Sequence, residues 1–403
     1  DNCGSTMVKA GEEFVRTEVQ FIPAKLKVID HYRETYECRS CRKNGTPYME
    51  KAPVPYPPVL HSLASASTIA WLIHQKFELG IPLYRQEKEW EALGLCLSRA
   101  TLSNWLLVVY RDWLIHIVHR LKQELLKQRY LHIDETHVQV LKEPGRKNTS
   151  DSYMWVYCSI KDAVPPVRYF EYRPGRGGKY PEVFLKGYEG YIHTDAYSGY
   201  NAVSGVKRCL CYTHLRRAFV DALPKDIHTP EASKPAEAIL RLNQVFGIES
   251  ELEALSPDQK KKERLIREKP LLEAFWSWAE KSAIGELPKS KLSKAFHYAL
   301  NNREGFFHYL EDGNCSISNS LAENCIRPFV IGRKNWLFSG SPKGAEASAG
   351  IYTLVETAKA NGLAPMKYIK YILSDMPGSA FLEHPEYLDD YLPWNPLVKE
   401  FCR

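Results

Sequence analysis

At Tyr130 the spacing of apolar residues changes from a helical period to a strand period, which restricts this chain to mixed α/β architectures. Upstream, over 59–128, apolar positions recur three and four apart through Leu60, Leu63, Ile69, Leu72 and Ile73, and again from Trp90 to Leu107. Downstream, 130–141, 152–160 and 167–172 read as three consecutive strands, with Pro165 and Pro166 turning the chain between the last two. Residues 176–186 suit a short helix, 191–195 a fourth strand and 206–212 a fifth. From 215 to about 310 the sequence is helical and charged, and includes Lys260, Lys261 and Lys262 and the pair Trp276 and Trp278.

The order of three strands, a helix, a strand, a short helix, a strand and a helix matches a ribonuclease H-like domain. In that arrangement the first and fourth strands adjoin and present carboxylates at neighbouring positions. Asp134 lies mid-strand in Tyr-Leu-His-Ile-Asp-Glu-Thr, Asp195 ends a strand in His-Thr-Asp-Ala-Tyr-Ser-Gly-Tyr, and Glu323 opens a helix in Asn-Ser-Leu-Ala-Glu-Asn-Cys. Hard divalent ions take oxygen ligands, and two of them about 3.5–4 Å apart can clamp the attacking and leaving oxygens of an in-line phosphoryl displacement. The three acids therefore predict a two-metal DNA-processing site, with the carboxylates about 4–8 Å apart. Singly, each has an ordinary reading: an edge-strand acid, a turn former, a helix-dipole partner. Asp134 and Glu135 point to opposite strand faces, so only one can serve. For Glu323 to meet the others, 215–315 must be an all-helical insertion and not an independent domain.

The amino-terminal third reads differently. Alternation through Val19, Phe21, Val28 and Ile29, broken by Pro23, predicts a small β-rich module over 1–50 that closes at Cys38-Arg-Ser-Cys41. A proline-rich linker, 51–58, is stiff because proline fixes φ. Within 59–128 the segment 82–105 has helix-turn-helix spacing, with a break at Leu93-Gly94-Leu95 and Ser98 as N-cap. Arg99, Ser103 and Asn104 at the start of its second helix can read base edges or phosphates; a plain helical hairpin is the alternative. Around Glu323, Ser318 or Asn319 is expected to cap the helix and Pro328 to kink or end it, while Arg327 can pair with Glu323 or a phosphate. Arg333, Lys334 and Trp336 supply two cations and an aromatic for gripping DNA.

A net charge of +6 permits a polyanionic partner without demanding one. Ten cysteines spread over 403 residues, several in apolar runs, fit a reducing cytoplasm better than a disulfide scaffold. The most apolar stretch, 102–118, is interrupted by Arg111 and Asp112 and is too short to span a bilayer. Starting at Asp1, the sequence reads as part of a longer gene.

The run from Asn319 to Leu373, with Ala-Glu-Asn-Cys-Ile-Arg-Pro-Phe-Val-Ile-Gly-Arg-Lys-Asn-Trp-Leu-Phe-Ser-Gly-Ser and Ile-Tyr-Thr-Leu-Val-Glu-Thr-Ala-Lys-Ala-Asn-Gly, resembles the insertion-sequence-66-type transposases. Asp134, Asp195, Cys211-Tyr-Thr-His214 and the tail motif Tyr391-Leu-Pro-Trp-Asn fit the same family in the same order, so the likeness covers nearly the whole chain. It implies that Asp134, Asp195 and Glu323 are the catalytic triad of a DDE transposase. Two Mg²⁺ ions, with Mn²⁺ able to substitute, would serve cleavage at the element ends and joining of 3′-hydroxyls to target DNA. It also implies an amino-terminal zinc module made of two Cys-x-x-Cys pairs, of which Cys3, Cys38 and Cys41 are present, an incomplete set. For Cys211 and His214 two ligands do not make a metal site, and packing or hydrogen bonding is the expected role.

The domain reading is a truncated zinc module over 1–50, a linker over 51–58 and a helix-turn-helix-like region over 59–128. A catalytic domain over 129–214 and 316–375 follows, with the insertion at 215–315 and a tail at 376–403. Expected partners are double-stranded DNA, both element ends and target, and further copies of the chain, with accessory element-encoded proteins left open and no membrane. The expected setting is the bacterial cytoplasm, on the nucleoid. Two rivals stand beside this reading: an inactive or domesticated DNA-binding regulator, and a ribonuclease H-like nuclease that cuts without joining.

Overall fold

The strand-period residues form one six-stranded sheet with β5–β4–β3–β6–β7 as its spine and β8 paired to β3. Its strands are β3 (Tyr130–Val140), β4 (Asp151–Ser159), β5 (Arg168–Arg173), β6 (Tyr191–Thr194), β7 (Lys207–Leu210) and β8 (Phe338–Ser339). β3, β4 and β5 pair antiparallel as a meander, while β6 joins β3 in parallel and β7 joins β6 in parallel. Each falls within two residues of the expected strand. A small β1 (Thr35–Glu37) and β2 (Met49–Lys51) pair antiparallel elsewhere, around helix α1 (Arg39–Lys43). This computed structural model describes residues 5–21, 24–224 and 233–403. It divides into two units, Asp1–Val54 with Glu89–Leu95, and Pro55–Lys88 with Cys96–Arg403.

In the first unit the predicted β-rich module is reduced to the β1–β2 pair. The described residues of the alternating run over 18–36 form no strand before Thr35, and Val19 is 97% exposed, Phe21 83% and Val28 84%. Alternation makes a strand only where a partner strand takes its hydrogen bonds and a core covers its apolar face. Ile22 and Pro23, the predicted break, lie outside the described residues, as does Cys3.

The helical region comprises α2 (Ala66–Ile73), α3 (Leu83–Ala92), α4 (Arg99–Val109) and α5 (Ile115–Leu126). Gly94 turns the chain after α3 with φ 88°, a left-handed value that glycine tolerates without strain. Ser98 caps α4 as its spacing predicted, its hydroxyl accepting the Thr101 N–H at 3.1 Å. No helix among the described residues is long and apolar enough to cross a membrane.

After α6 (Lys179–Phe184) and the last strand of the spine, the chain enters α7 (Tyr212–Val220) and the insertion. The insertion holds α8 (Lys234–Glu251), α9 (Pro257–Glu263), α10 (Lys269–Ser282), α11 (Lys291–Asn301) and α12 (Arg303–Phe307). Its apolar faces share one core with the sheet: Trp276, Phe275, Phe296 and Phe306 cluster with Cys209 and Leu210 of β7 and Tyr212 of α7. The chain then returns through α13 (Ser320–Trp336), α14 (Pro342–Ala360), α15 (Pro365–Asp375) and α16 (Pro396–Cys402). α14 covers the outer strand β5, whose Arg168 and Phe170 N–H groups donate to the hydroxyls of Thr357 and Thr353 at 3.1 and 2.8 Å. That capping keeps an edge strand from pairing with other chains. The tail is packed, with Tyr391 and Leu392 buried.

Candidate active site

Strand register brings the first two acids together. β3 and β6 run in parallel with His132 opposite His193, and their rings stack at 4.2 Å. Asp134 follows His132 by two residues and so shares its strand face, and Asp195, two residues after His193 and one past the end of β6, lies near enough for its charge to bear on the Asp134 carboxyl. Beyond Thr194 the chain leaves the strand, and Arg208 fixes the turn by donating to the carbonyls of Asp195 and Tyr197 at 2.6 and 2.8 Å.

Glu323 reaches this face through Asn319. The Asn319 side chain is buried, its amide donating to the Ile133 carbonyl at 2.7 Å and its oxygen meeting His132 Nδ1 at 3.0 Å. Those bonds hold the start of α13 over the β3 face, and Glu323 lies one helical turn further on. Asn319 thus occupies the N-cap position, but its side chain serves the sheet and leaves the helix uncapped. The helix also runs through Pro328 to Trp336 and does not end there. Burial of Ile326, Phe329 and Gly332 on the core offsets the hydrogen bond that proline removes.

The electrostatics are those of crowded acids. Burial foremost, then the charge of Glu135, pushes the Asp134 carboxyl up to about 7; the Glu135 amide opposes this, and Asp195 and Glu323 add to it. Glu135 itself is engaged by Arg176 and the Tyr200 hydroxyl, so of the two adjacent acids Asp134 is the one left open. Arg176 also approaches Asp195 at 3.6 Å and stacks over Tyr197 at 3.9 Å. Glu323 Oε1 is buried without a hydrogen-bond partner and lies 3.7 Å from the equally unpartnered Nδ1 of His214. An acid set with a raised carboxyl and an orphaned oxygen suits a divalent cation.

A groove of about 410 Å³ adjoins Asp195, lined among others by Arg176, Tyr197, His214, Arg217 and Tyr298. A larger one of about 520 Å³ lies at the far end of β3, between His137, Gln139, Arg333 and Lys334, away from the three acids.

The remaining expected DNA contacts divide. Arg99 and Asn104 are exposed and Ser103 half-buried on α4. Arg327 and Lys334 are exposed, with no hydrogen bond or ion pair among the described residues. Arg333 instead donates to Thr136 Oγ1 at 3.0 Å and to the His137 carbonyl, tying α13 to β3. Trp336 sits under the Lys76 ammonium at 4.3 Å and against Gly332, where any Cβ would meet its ring. Trp336 packs inward at the end of α13, whereas Arg333, half-exposed, bonds to β3 and also lines the larger groove. Sequence reasoning missed Arg176, Arg208 and Asn319. The glycines flanking Arg176 were the one local sign that its backbone turns toward a site.

In the first unit Cys38 and Cys41 approach each other at the start of α1. The backbone N–H of Cys41, and then its thiol, hold the Cys38 thiol below its usual range.

Comparison with known proteins gives two matching families. A family model described as "Transposase IS66 family" matches residues 61–347, and one described as "zinc-finger binding domain of transposase IS66" matches residues 1–42. The chain is similar to the uncharacterized protein y4hP of Sinorhizobium fredii (strain NBRC 101917 / NGR234), 27% identical over 97% of this chain and 72% of the relative. It is also similar to the uncharacterized protein y4jD of that strain, 28% identical over 98% of this chain and 77% of the relative.

Proposed function

The chain belongs to the IS66 family of transposases, and from that premise we propose that it cuts DNA at the ends of its element and joins the freed 3′-hydroxyls to target DNA. The observation that supports this reading is that Asp134 on β3, Asp195 in the turn after β6 and Glu323 on α13 lie near enough for the charges of the other two to bear on the Asp134 carboxyl. The strand order, with an antiparallel meander followed by two parallel strands, supports a ribonuclease H-like catalytic domain. Asp134, Asp195 and Glu323 would hold two Mg²⁺ or Mn²⁺ ions, which when bound activate the attacking oxygen and stabilise the leaving one.

The chain's own groups do the rest. Asn319 and Arg208 fix the helix and turn that carry Glu323 and Asp195. Arg176 neutralises Glu135 and keeps it from the ions. Arg176, Arg217, Tyr197 and Tyr298 line a groove suited to a phosphodiester backbone, with cations for the phosphates and ring faces for bases. Cys38 and Cys41, with Cys3, would hold zinc in the amino-terminal module.

Metal binding can be read without activity. At saturating Mg²⁺ or Mn²⁺ the second unit should melt a few degrees higher, since an ion at about one hundred times its Kd stabilises by about 2.7 kcal/mol. Glu323→Gln should lose most of that gain. Superimposable melts with and without ion would mean that the three carboxylates do not form a metal site.

Recognition of the element end is assigned to α4. Changing both Arg99 and Asn104 to Ala should weaken binding to the end sequence by roughly ten- to a hundredfold, on the scale of one or two base contacts, and binding to random DNA by much less. Equal losses on both DNAs in a fluorescence titration would make them backbone contacts, and no loss would return α3 and α4 to a structural hairpin. The function itself is tested by incubating the chain with end-sequence DNA, a target plasmid and Mg²⁺. Joined products support a transposase, cut but unjoined ends a nuclease, and binding alone an inactive regulator.

A further inference from the structure

We propose that Cys211, His214 and Glu323 form a binding site for one soft divalent ion of the zinc class, built from a thiolate, an imidazole and a carboxylate on α7 and α13. Their ligand atoms all lie within 4.8 Å of one another. His214 Nδ1 and Glu323 Oε1 face each other at 3.7 Å, beyond hydrogen-bond distance, and both atoms are buried without a hydrogen-bond partner. Two such atoms lose their hydration with no direct bond in return, whereas a cation between them would satisfy both. The side chains remain 28% and 29% exposed, so an ion can enter from the groove beside Asp195.

The donor set selects the ion. A thiolate and an imidazole favour zinc over magnesium, and three protein ligands with an open fourth position are a familiar zinc arrangement. The two anionic donors balance a dication, leaving a neutral site. The surroundings support the thiolate: the Asn319 N–H donates to Cys211 Sγ at 3.1 Å.

A second cluster sharpens the contrast. His193, Cys209 and Cys315 also lie within 4.8 Å of one another and are fully buried. There both ring nitrogens of His193 are already used, Nδ1 toward the Leu131 carbonyl at 3.2 Å and Nε2 accepting the Ser316 N–H at 2.9 Å. That histidine fastens the loop before α13 to β6 and has no lone pair to spare.

Glu323 belongs to both arrangements, so an ion on Cys211 and His214 draws its carboxylate away from Asp134. Zinc would then act as a brake that magnesium must overcome; this consequence rests on the catalytic role proposed above, whereas the site itself does not.

The test uses the full chain with Cys3, Cys38 and Cys41 changed to Ser, which silences the amino-terminal thiols. Titration with Co²⁺ should raise a thiolate-to-cobalt charge-transfer band in the near ultraviolet, saturating at one ion per chain, displaced by Zn²⁺ and not by Mg²⁺. Cys211→Ser should abolish the band. His214→Gln, on a partly exposed side chain and safer for folding, should weaken Co²⁺ binding at least tenfold, with circular dichroism verifying the fold of each variant. No band in the parent, a band that survives Cys211→Ser or responds only to Cys209→Ser, or a His214→Gln affinity within twofold of the parent would overturn the site. In the joining assay, micromolar Zn²⁺ should inhibit the parent severalfold and His214→Gln less. A parent that shows the cobalt band yet never cleaves DNA would leave the ion site standing and remove the catalytic reading instead.

Discussion

Asp134→Asn is expected to lower end cleavage and joining by roughly a thousandfold or more, about 4 kcal/mol in transition-state stabilisation, while leaving DNA binding within about twofold. The substitution keeps size and hydrogen-bonding shape but removes a ligand charge from a half-buried position mid-strand on β3. No neighbour can replace it, because the adjacent Glu135 is held by Arg176 and Tyr200. The measurement is single-turnover cleavage of labelled end DNA beside a binding titration with the same preparation. Activity within tenfold of the parent would sink the assignment of Asp134. Equal losses in binding and cleavage would mean that the change had disturbed the fold.

Trp276→Ala should cost about 3–5 kcal/mol, read as a fall in denaturant midpoint of the second unit. The indole is fully buried on α10, with ring centroids 4.9 Å from Phe275, 5.3 Å from Phe307, 5.7 Å from Phe306 and 6.4 Å from Tyr212. Because Tyr212 begins α7 and Leu210 ends β7 in the same cluster, the cavity should loosen the elements beside the acids as well as the insertion. Activity is therefore expected to fall severalfold at temperatures where the parent is unaffected. If the insertion melted alone while the sheet and its activity persisted, it would be an independent domain that merely interrupts the sequence. A loss under 1 kcal/mol would contradict the shared core itself.

How much of this was legible beforehand follows from which interactions are local. The five strands over 130–212 were readable because alternation reports burial on one face, and each has a neighbour in the sheet to complete it. Ser98 as a cap was readable because its bond to Thr101 spans three residues. The run over 18–36 carries alternation of the same kind, yet its described residues form no strand before Thr35, where pairing with β2 begins, and Val19, Phe21 and Val28 stay exposed. Local pattern is necessary for a strand and not sufficient.

The site divides along the same line. Asp134, Asp195 and Glu323 were singled out by their contexts, and the β3–β6 pairing that sets His132 opposite His193, two residues before each Asp, follows from strand order. What the sequence by itself determined is therefore the set of elements, the acids they carry and the family to which they belong. Only the tertiary structure decided which neighbours those acids have. Asn319 looked like a cap but spends its side chain on His132 and Ile133, some 190 residues away. Arg333, expected on DNA, also bonds to Thr136, Trp336 sits under Lys76, and His214 came to face Glu323 across the insertion. Such contacts join residues 100 or more positions apart, Lys76 and Trp336 among them, and they depend on where a whole core places two surfaces. No periodicity within a segment records that, so these roles emerge only when the chain is folded.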